Sequence, residues 1–195
     1  VALAQAPGHA DSTLQDRNCT VTGDKVASPV RVLLGETVRL RLTLGADCPP
    51  AVLQPADIVL AVDQSVSMAQ DGKLDAAKAA ARAFVTATDL SLHRIAVVAF
   101  AASATTLIEL SQDRTAIGTA INGIGIAPST NIADAIDVGA EILRLHGRAD
   151  AKRAIILISD GSPNQPTPDP RTAAIRSANF AKLEAVLLFA IGLGA

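Results

Sequence analysis

Ile58-Val59-Leu60-Ala61-Val62-Asp63-Gln64-Ser65-Val66-Ser67-Met68 decides how this chain reads. A short apolar run ends in an aspartate, and two serines follow at spacings of two and four. An unbroken branched apolar run of this length, bounded by polar residues, is the pattern of a strand buried on both faces. Side chains alternate along extended chain, so Asp63, Ser65 and Ser67 leave the carboxyl end of that strand toward one face. One carboxylate and two hydroxyls lack a base, which makes them a poor nucleophilic triad. They are better suited to a hard cation, because magnesium takes oxygen ligands in near-octahedral geometry and keeps several waters. The structural alternative is that these are ordinary turn and helix-capping residues.

Two later segments share the same logic. In Ser129-Thr130-Asn131-Ile132-Ala133-Asp134-Ala135-Ile136, Thr130 precedes a run whose apolar positions Ile132, Ile136, Ala140 and Leu143 have helical spacing. Thr130 or Asn131 would cap that helix. In Ile155-Ile156-Leu157-Ile158-Ser159-Asp160-Gly161, a second branched apolar strand runs into an aspartate and a glycine. Asp160-Gly161 by itself reads as a turn.

From Asp57 onward, strand and helix patterns alternate, as in parallel α/β sheets. Strands are expected over 57–62, 94–100, 104–110, 153–159 and 186–191, and helices over 72–88, 113–122, 131–146 and 171–183. In the first helix Leu74, Ala77, Ala81, Phe84, Val85 and Thr88 share a face. The link Ala101-Ala102-Ser103 is too short for a parallel crossover, so the strand over 104–110 is expected to be an antiparallel edge.

Asp63-x-Ser65-x-Ser67-Met68, Pro128-Ser129-Thr130-Asn131-Ile132 and Ser159-Asp160-Gly161-Ser162-Pro163-Asn164 together resemble the von Willebrand factor type A domain family. Their order and spacing match the family's metal-ion-dependent adhesion site. Lys73-Leu74-Asp75-Ala76-Ala77-Lys78, Arg94–Phe100 and Ala190-Ile191-Gly192-Leu193-Gly194 match as well. The resemblance covers residues 56–195 and implies an α/β fold, a doubly wound, mostly parallel sheet with one antiparallel edge strand. The family fold continues with another strand and a closing helix, so the domain over 56–195 reads as truncated at its C-terminus. Carried over residue by residue, Ser65, Ser67 and Thr130 are direct metal-ligand candidates. Asp63 and Asp160 act through coordinated water or through hydrogen bonds to the hydroxyls. The implied cofactor is Mg2+ or Mn2+. The implied function is an adhesion module, secreted or on the cell surface, whose metal bridges to an Asp or Glu carboxylate of a partner protein. Two departures from the family pattern stand out, one at Val66 with the less common Gln64 beside it and one at Pro128-Ser129. Val66 stands where glycine is usual, and a β-branched residue is strained if that position needs φ > 0. Pro128-Ser129 replaces the usual glycine pair before Thr130, which is expected to stiffen that loop.

Residues 1–17 read as leader and linker, with Ala4-Gln5-Ala6 resembling a signal-peptide cleavage site. Residues 18–54 read as a β-rich segment. Val38, Leu40, Leu42 and Leu44 alternate with Arg39, Arg41 and Thr43, and Gly35-Glu36 separates this strand from Val30–Leu34. So few strand residues make a poor independent core, and one reading is half of a β-sandwich interrupted by the following domain. Cys19 and Cys48 are the only cysteines. Two cysteines without histidine partners cannot close a zinc site. In an exported protein they would form a disulfide, closing a loop of about 30 residues for roughly 3–4 kcal/mol. Two buried thiols are the alternative. Asn18-Cys19-Thr20 fits a glycosylation sequon.

The chain has 195 residues, 49% hydrophobic and 18% charged, with a net charge of −2. It can bury a core, and its charge supplies no attraction for nucleic acid. With 2% aromatic residues it offers no stacking platform for single strands. No run of 18 apolar residues suggests a transmembrane segment. Neither a His or Glu at a motif position nor a G-x-x-x-x-G-K loop is present, so the chain does not read as an enzyme. The rival functions are a metal-independent scaffold with a degenerate site and, less favoured, a metal-assisted hydrolase. His9, His93 and His146 are isolated. Asp71, Lys73 and Asp75 read as a solvated first helical turn, and Met68 as core. The loop around Asn164 and Gln165, with Pro163, Pro166, Pro168 and Pro170, reads as a rigid connection placed to influence specificity.

Overall fold

The alternating pattern from Asp57 onward folds as a five-stranded sheet with two helices on each face in the computed structural model, which describes residues 20–28, 39–47 and 54–193. Contacts divide the chain into two units, Val1–Leu53 and Gln54–Ala195. In the first, β1 (Thr20–Ser28) pairs antiparallel with β2 (Arg39–Asp47), with Thr20 opposite Asp47 and Ser28 opposite Arg39. The leader, the strand expected over 30–34, the sequon asparagine and both cysteines lie outside the described residues.

In the second unit the strands are β3 (Ala56–Asp63), β4 (Arg94–Phe100), β5 (Ala104–Ser111), β6 (Lys152–Ser159) and β7 (Val186–Gly192). Their order is β5-β4-β3-β6-β7, with only the β4–β5 pair antiparallel. The three-residue link at 101–103 dictates that pairing, as expected, because a hairpin can be that short and a crossover cannot. The helices are α1 (Lys73–Ala87), α2 (Arg114–Asn122), α3 (Ile132–His146) and α4 (Pro170–Leu183). Each expected strand and helix of this unit appears with its ends moved by no more than one residue.

Strand β3 is central and buried from Asp57 to Asp63. Its alternate residues feed two cores. Ile58, Leu60 and Val62 pack with Ala77, Ala81 and Val85 of α1 and with Ile117 and Ile121 of α2. Val59 and Ala61 pack with Ala135, Ile136, Ile142 and Leu143 of α3 and with Ala181 of α4. The chain leaves β3 toward β4 on one side and returns to β6 on the other. The carboxyl ends of β3 and β6 therefore border the crevice where loops diverge, the ligand-binding position of open α/β sheets.

Candidate functional site

The loop after β3 is not a simple helix start. Val66–Gly72 forms a 3-10 segment broken at Gln70 and Asp71, and Asp71 (φ 52°) and Gly72 (φ 69°) are both left-handed. This double reversal swings the chain so that Lys73, the first residue of α1, comes back to the end of β6. Met68 is fully buried, in keeping with a core role, and its amide donates to the Ser65 carbonyl at 3.0 Å. Val66 is 56% exposed and is not left-handed, so its branched side chain carries no strain there. The left-handed residue in the neighbouring loop is Ser129, at φ 73°. The family glycine that matters for backbone freedom is thus the one Ser129 replaces.

Four of the five expected residues form one hydrogen-bonded chain. Asp63, fully buried, accepts the Ser65 amide on Oδ1 at 2.7 Å and the Ser159 hydroxyl on Oδ2 at 2.5 Å. The Ser65 and Ser67 hydroxyl oxygens lie 3.0 Å apart. Ser67 Oγ donates to Asp160 Oδ1 at 2.7 Å, and Lys73 Nζ donates to Asp160 Oδ2 at 2.8 Å. Burial pushes the Asp160 carboxyl up, but the Lys73 ammonium and the Ser67 hydroxyl outweigh it and hold the group below the ordinary aspartate range.

Thr130, the fifth, is 5% exposed and arrives from the loop before α3. That loop is tied to both neighbours. Ala127 N donates to the Gln64 carbonyl at 2.7 Å, forming a parallel bridge between Ser65 and Ala127. Thr130 N donates to Asn164 Oδ1 at 2.8 Å, while the Thr130 carbonyl accepts from Asn164 N at 2.9 Å. Among the described residues the Thr130 hydroxyl takes part in no hydrogen bond. Asn131 then caps α3 by accepting from Asp134 N at 3.2 Å, and Asn131 N donates to the Ala101 carbonyl at 2.7 Å.

Three residues were not singled out as site members by sequence reasoning. Ser159 lies within a quoted motif, and its contact with Asp63 follows only from the β3–β6 register, in which Val62 pairs with Ile158. Asn164 anchors the Thr130 loop rather than serving only a rigid connection. Lys73 corrects the reading of a solvated helical turn. It is ion-paired to a carboxylate that is 2% exposed, because the left-handed pair at 71–72 redirects it. Among the described residues, His93 and His146 stay apart from the site: His93 Nδ1 accepts from Ala56 N at 3.0 Å, and His146 ends α3.

Chemically, the cluster offers serine and threonine hydroxyls with two carboxylates. Among the described residues no group of three or more His, Cys, Asp or Glu is placed to hold a metal. The oxygen-only set of hydroxyls and carboxylates fits a hard divalent ion that keeps water in its shell.

A family model described as the von Willebrand factor type A domain matches residues 58–162, more than half of the chain. A UPF0353 protein from Mycolicibacterium paratuberculosis is 29% identical over 153 residues, 73% of this chain and 45% of the relative, so the chain spans about half that protein's length. Solved structures similar to this chain include a pili tip protein and a matrix protein. The vWF domain of the type V pili tip protein Mfa5 from Porphyromonas gingivalis is 25% identical with a TM-score of 0.52, covering 60% of this chain and 43% of that one. Proximal thread matrix protein 1 from the mussel byssus, with a zinc-occupied MIDAS motif, is 26% identical with a TM-score of 0.59, covering 73% and 36%. With residues 58–162 carrying both strands that frame the crevice, the chain belongs to the von Willebrand factor type A domain family.

Proposed function

We propose that the domain binds a divalent cation, Mg2+ or Mn2+, and uses it to hold an acidic side chain of a partner protein. Ser65, Ser67 and Thr130 supply direct oxygen ligands. Asp63 and Asp160 balance the charge through water and through the hydroxyls they orient. One coordination position is left for an Asp or Glu carboxylate. The observation that carries this reading is the continuous chain from Asp63 through Ser65 and Ser67 to Asp160 at the carboxyl ends of adjacent strands. Neutral hydroxyls in direct contact leave the ion's charge largely uncompensated, which favours an anionic partner. The metal-occupied motif of the mussel protein and the pilus-tip role of the bacterial one support an adhesive function, secreted or on the cell surface.

The reading is of a binding module and not an enzyme. The serine hydroxyls face carboxylates and one another, and no imidazole among the described residues joins them to act as a base. Calorimetric titration of the chain with MgCl2 and MnCl2 tests the proposal. Heat of binding is expected for the wild type and its loss for Asp63→Asn and Thr130→Ala, with far-UV circular dichroism unchanged. A folded wild type that takes up neither ion would overturn the metal reading and favour a metal-independent scaffold.

A further inference from the structure

We propose that Lys73 is a tethered counter-cation that competes with the divalent ion for Asp160 and so sets the affinity of the site. The inference rests on the metal reading above and concerns a residue that lies outside the hydroxyl ligand set.

Both oxygens of Asp160 are committed to protein donors, Oδ1 to Ser67 Oγ at 2.7 Å and Oδ2 to Lys73 Nζ at 2.8 Å. The Asp160 side chain is 2% exposed, so little water can stand in for either donor. Lys73 differs: its side chain is 24% exposed, and its backbone is fixed at the head of α1 by the left-handed residues Asp71 and Gly72. The ammonium can swing into solvent on its flexible stem while its anchor stays in place. The charge arithmetic gives the consequence. Asp63 and Asp160 present two negative charges, and the ammonium cancels one of them. An incoming divalent ion therefore meets a weaker attraction until it displaces Lys73 from Oδ2. Displacement frees Asp160 to accept from metal-bound water and returns the ammonium to solvent.

The test is a double-mutant cycle read by metal affinity and by thermal unfolding. MgCl2 and MnCl2 are titrated by calorimetry into the wild-type chain, Lys73→Met, Asp160→Asn and the double variant. Lys73→Met is expected to bind about tenfold more tightly, as fits loss of one partly buried charge-assisted hydrogen bond. In EDTA it should unfold at a lower temperature than the wild type, since Asp160 Oδ2 then stays buried without a donor while Oδ1 keeps Ser67, and saturating Mg2+ should close that gap. In the Asp160→Asn background, Lys73→Met should leave affinity unchanged. Lys73→Gln, which keeps a hydrogen bond without the charge, gives the same comparison if Lys73→Met fails to fold. Equal affinity of wild type and variant overturns the counter-cation role and leaves the metal reading intact, whereas no binding by any protein overturns both.

Discussion

Asp63 shows how much a single buried carboxylate depends on partners that its own segment does not supply. Its two oxygens accept from the Ser65 amide, two residues away, and from the Ser159 hydroxyl, 96 residues away. Removing the second donor strands an acceptor that has no access to solvent. Ser159→Ala is therefore expected to lower stability by about 1–3 kcal/mol, read as an earlier midpoint in urea. An unchanged midpoint would mean that Oδ2 finds another donor at no cost. The same contrast explains what the sequence made legible at this scale. Asp63, Ser65 and Ser67 were readable because they fall within five residues, although β3 ends at Asp63 and Ser67 meets Ser65 through the 3-10 turn rather than by strand alternation. Lys73 reaches Asp160 across 87 residues, and only the left-handed pair at Asp71 and Gly72 brings it there. No periodicity announces such a reversal, since glycine invites φ > 0 but an aspartate beside it does not demand it.

At the scale of elements, periodicity was a good guide where one face had to be buried. The face of α1 expected to hold Ala77, Ala81 and Val85 is the buried one, and Thr88, expected on that face, instead ends the helix as its C-cap. The 3-10 segment at 66–72 escaped because it is short and broken at Gln70 and Asp71, so it has no amphipathic repeat. Helix α3 illustrates a constraint that composition hides. Its N-terminus is pinned by Asn131 and by Asp134, whose Oδ2 accepts Ala104 N at 2.6 Å. Its other end closes at Gly147, whose amide donates to the Leu143 carbonyl at 3.1 Å. Gly147 is not left-handed (φ −67°), yet a Cβ there would overlap that same carbonyl oxygen. Backbone cannot yield as a flexible side chain does, so Gly147→Ala should unwind or displace the last turn of α3 and cost about 1–3 kcal/mol. Thermal unfolding checks this, and equal melting temperatures would show that the helix end shifts freely.

Across the whole unit from Gln54 onward, β3 carries an aspartate near its amino end and another at its carboxyl end, and the fold assigns them opposite tasks. Sequence alone singles out Asp63 through the serines that follow it, whereas the task of Asp57 appears only when the distant chain supplies its two arginines. Asp57 is fully buried and accepts from Arg94 Nε at 2.9 Å, Arg94 Nη2 at 2.7 Å, Arg148 N at 2.6 Å, Arg148 Nε at 3.0 Å and Arg148 Nη2 at 2.8 Å. It thereby clamps β3 to β4 and to the segment just after α3, at the end of the strand away from the candidate site. Burial pushes its carboxyl up, but the hydrogen bonds from Arg94 and Arg148 prevail and bring it down to about 2 from 3.8. A folded-state value below the unfolded one means stability that is present in full above the unfolded value and is lost as pH falls through the folded one. The clamp should thus contribute about 2 kcal/mol at neutral pH and surrender it between roughly pH 5 and pH 2. Asp57→Asn tests this in urea unfolding followed from pH 7 to pH 2.5. The variant should be weaker by about 3–5 kcal/mol at neutral pH, because two guanidinium groups lose their anion. It should also lack most of the wild type's decline in acid. Parallel pH profiles for the two proteins would show that the acid sensitivity arises elsewhere, for instance at Asp160. Because this support comes from guanidinium groups and two apolar cores, chelation of any bound metal is expected to leave the fold in place while emptying the opposite end of the same strand.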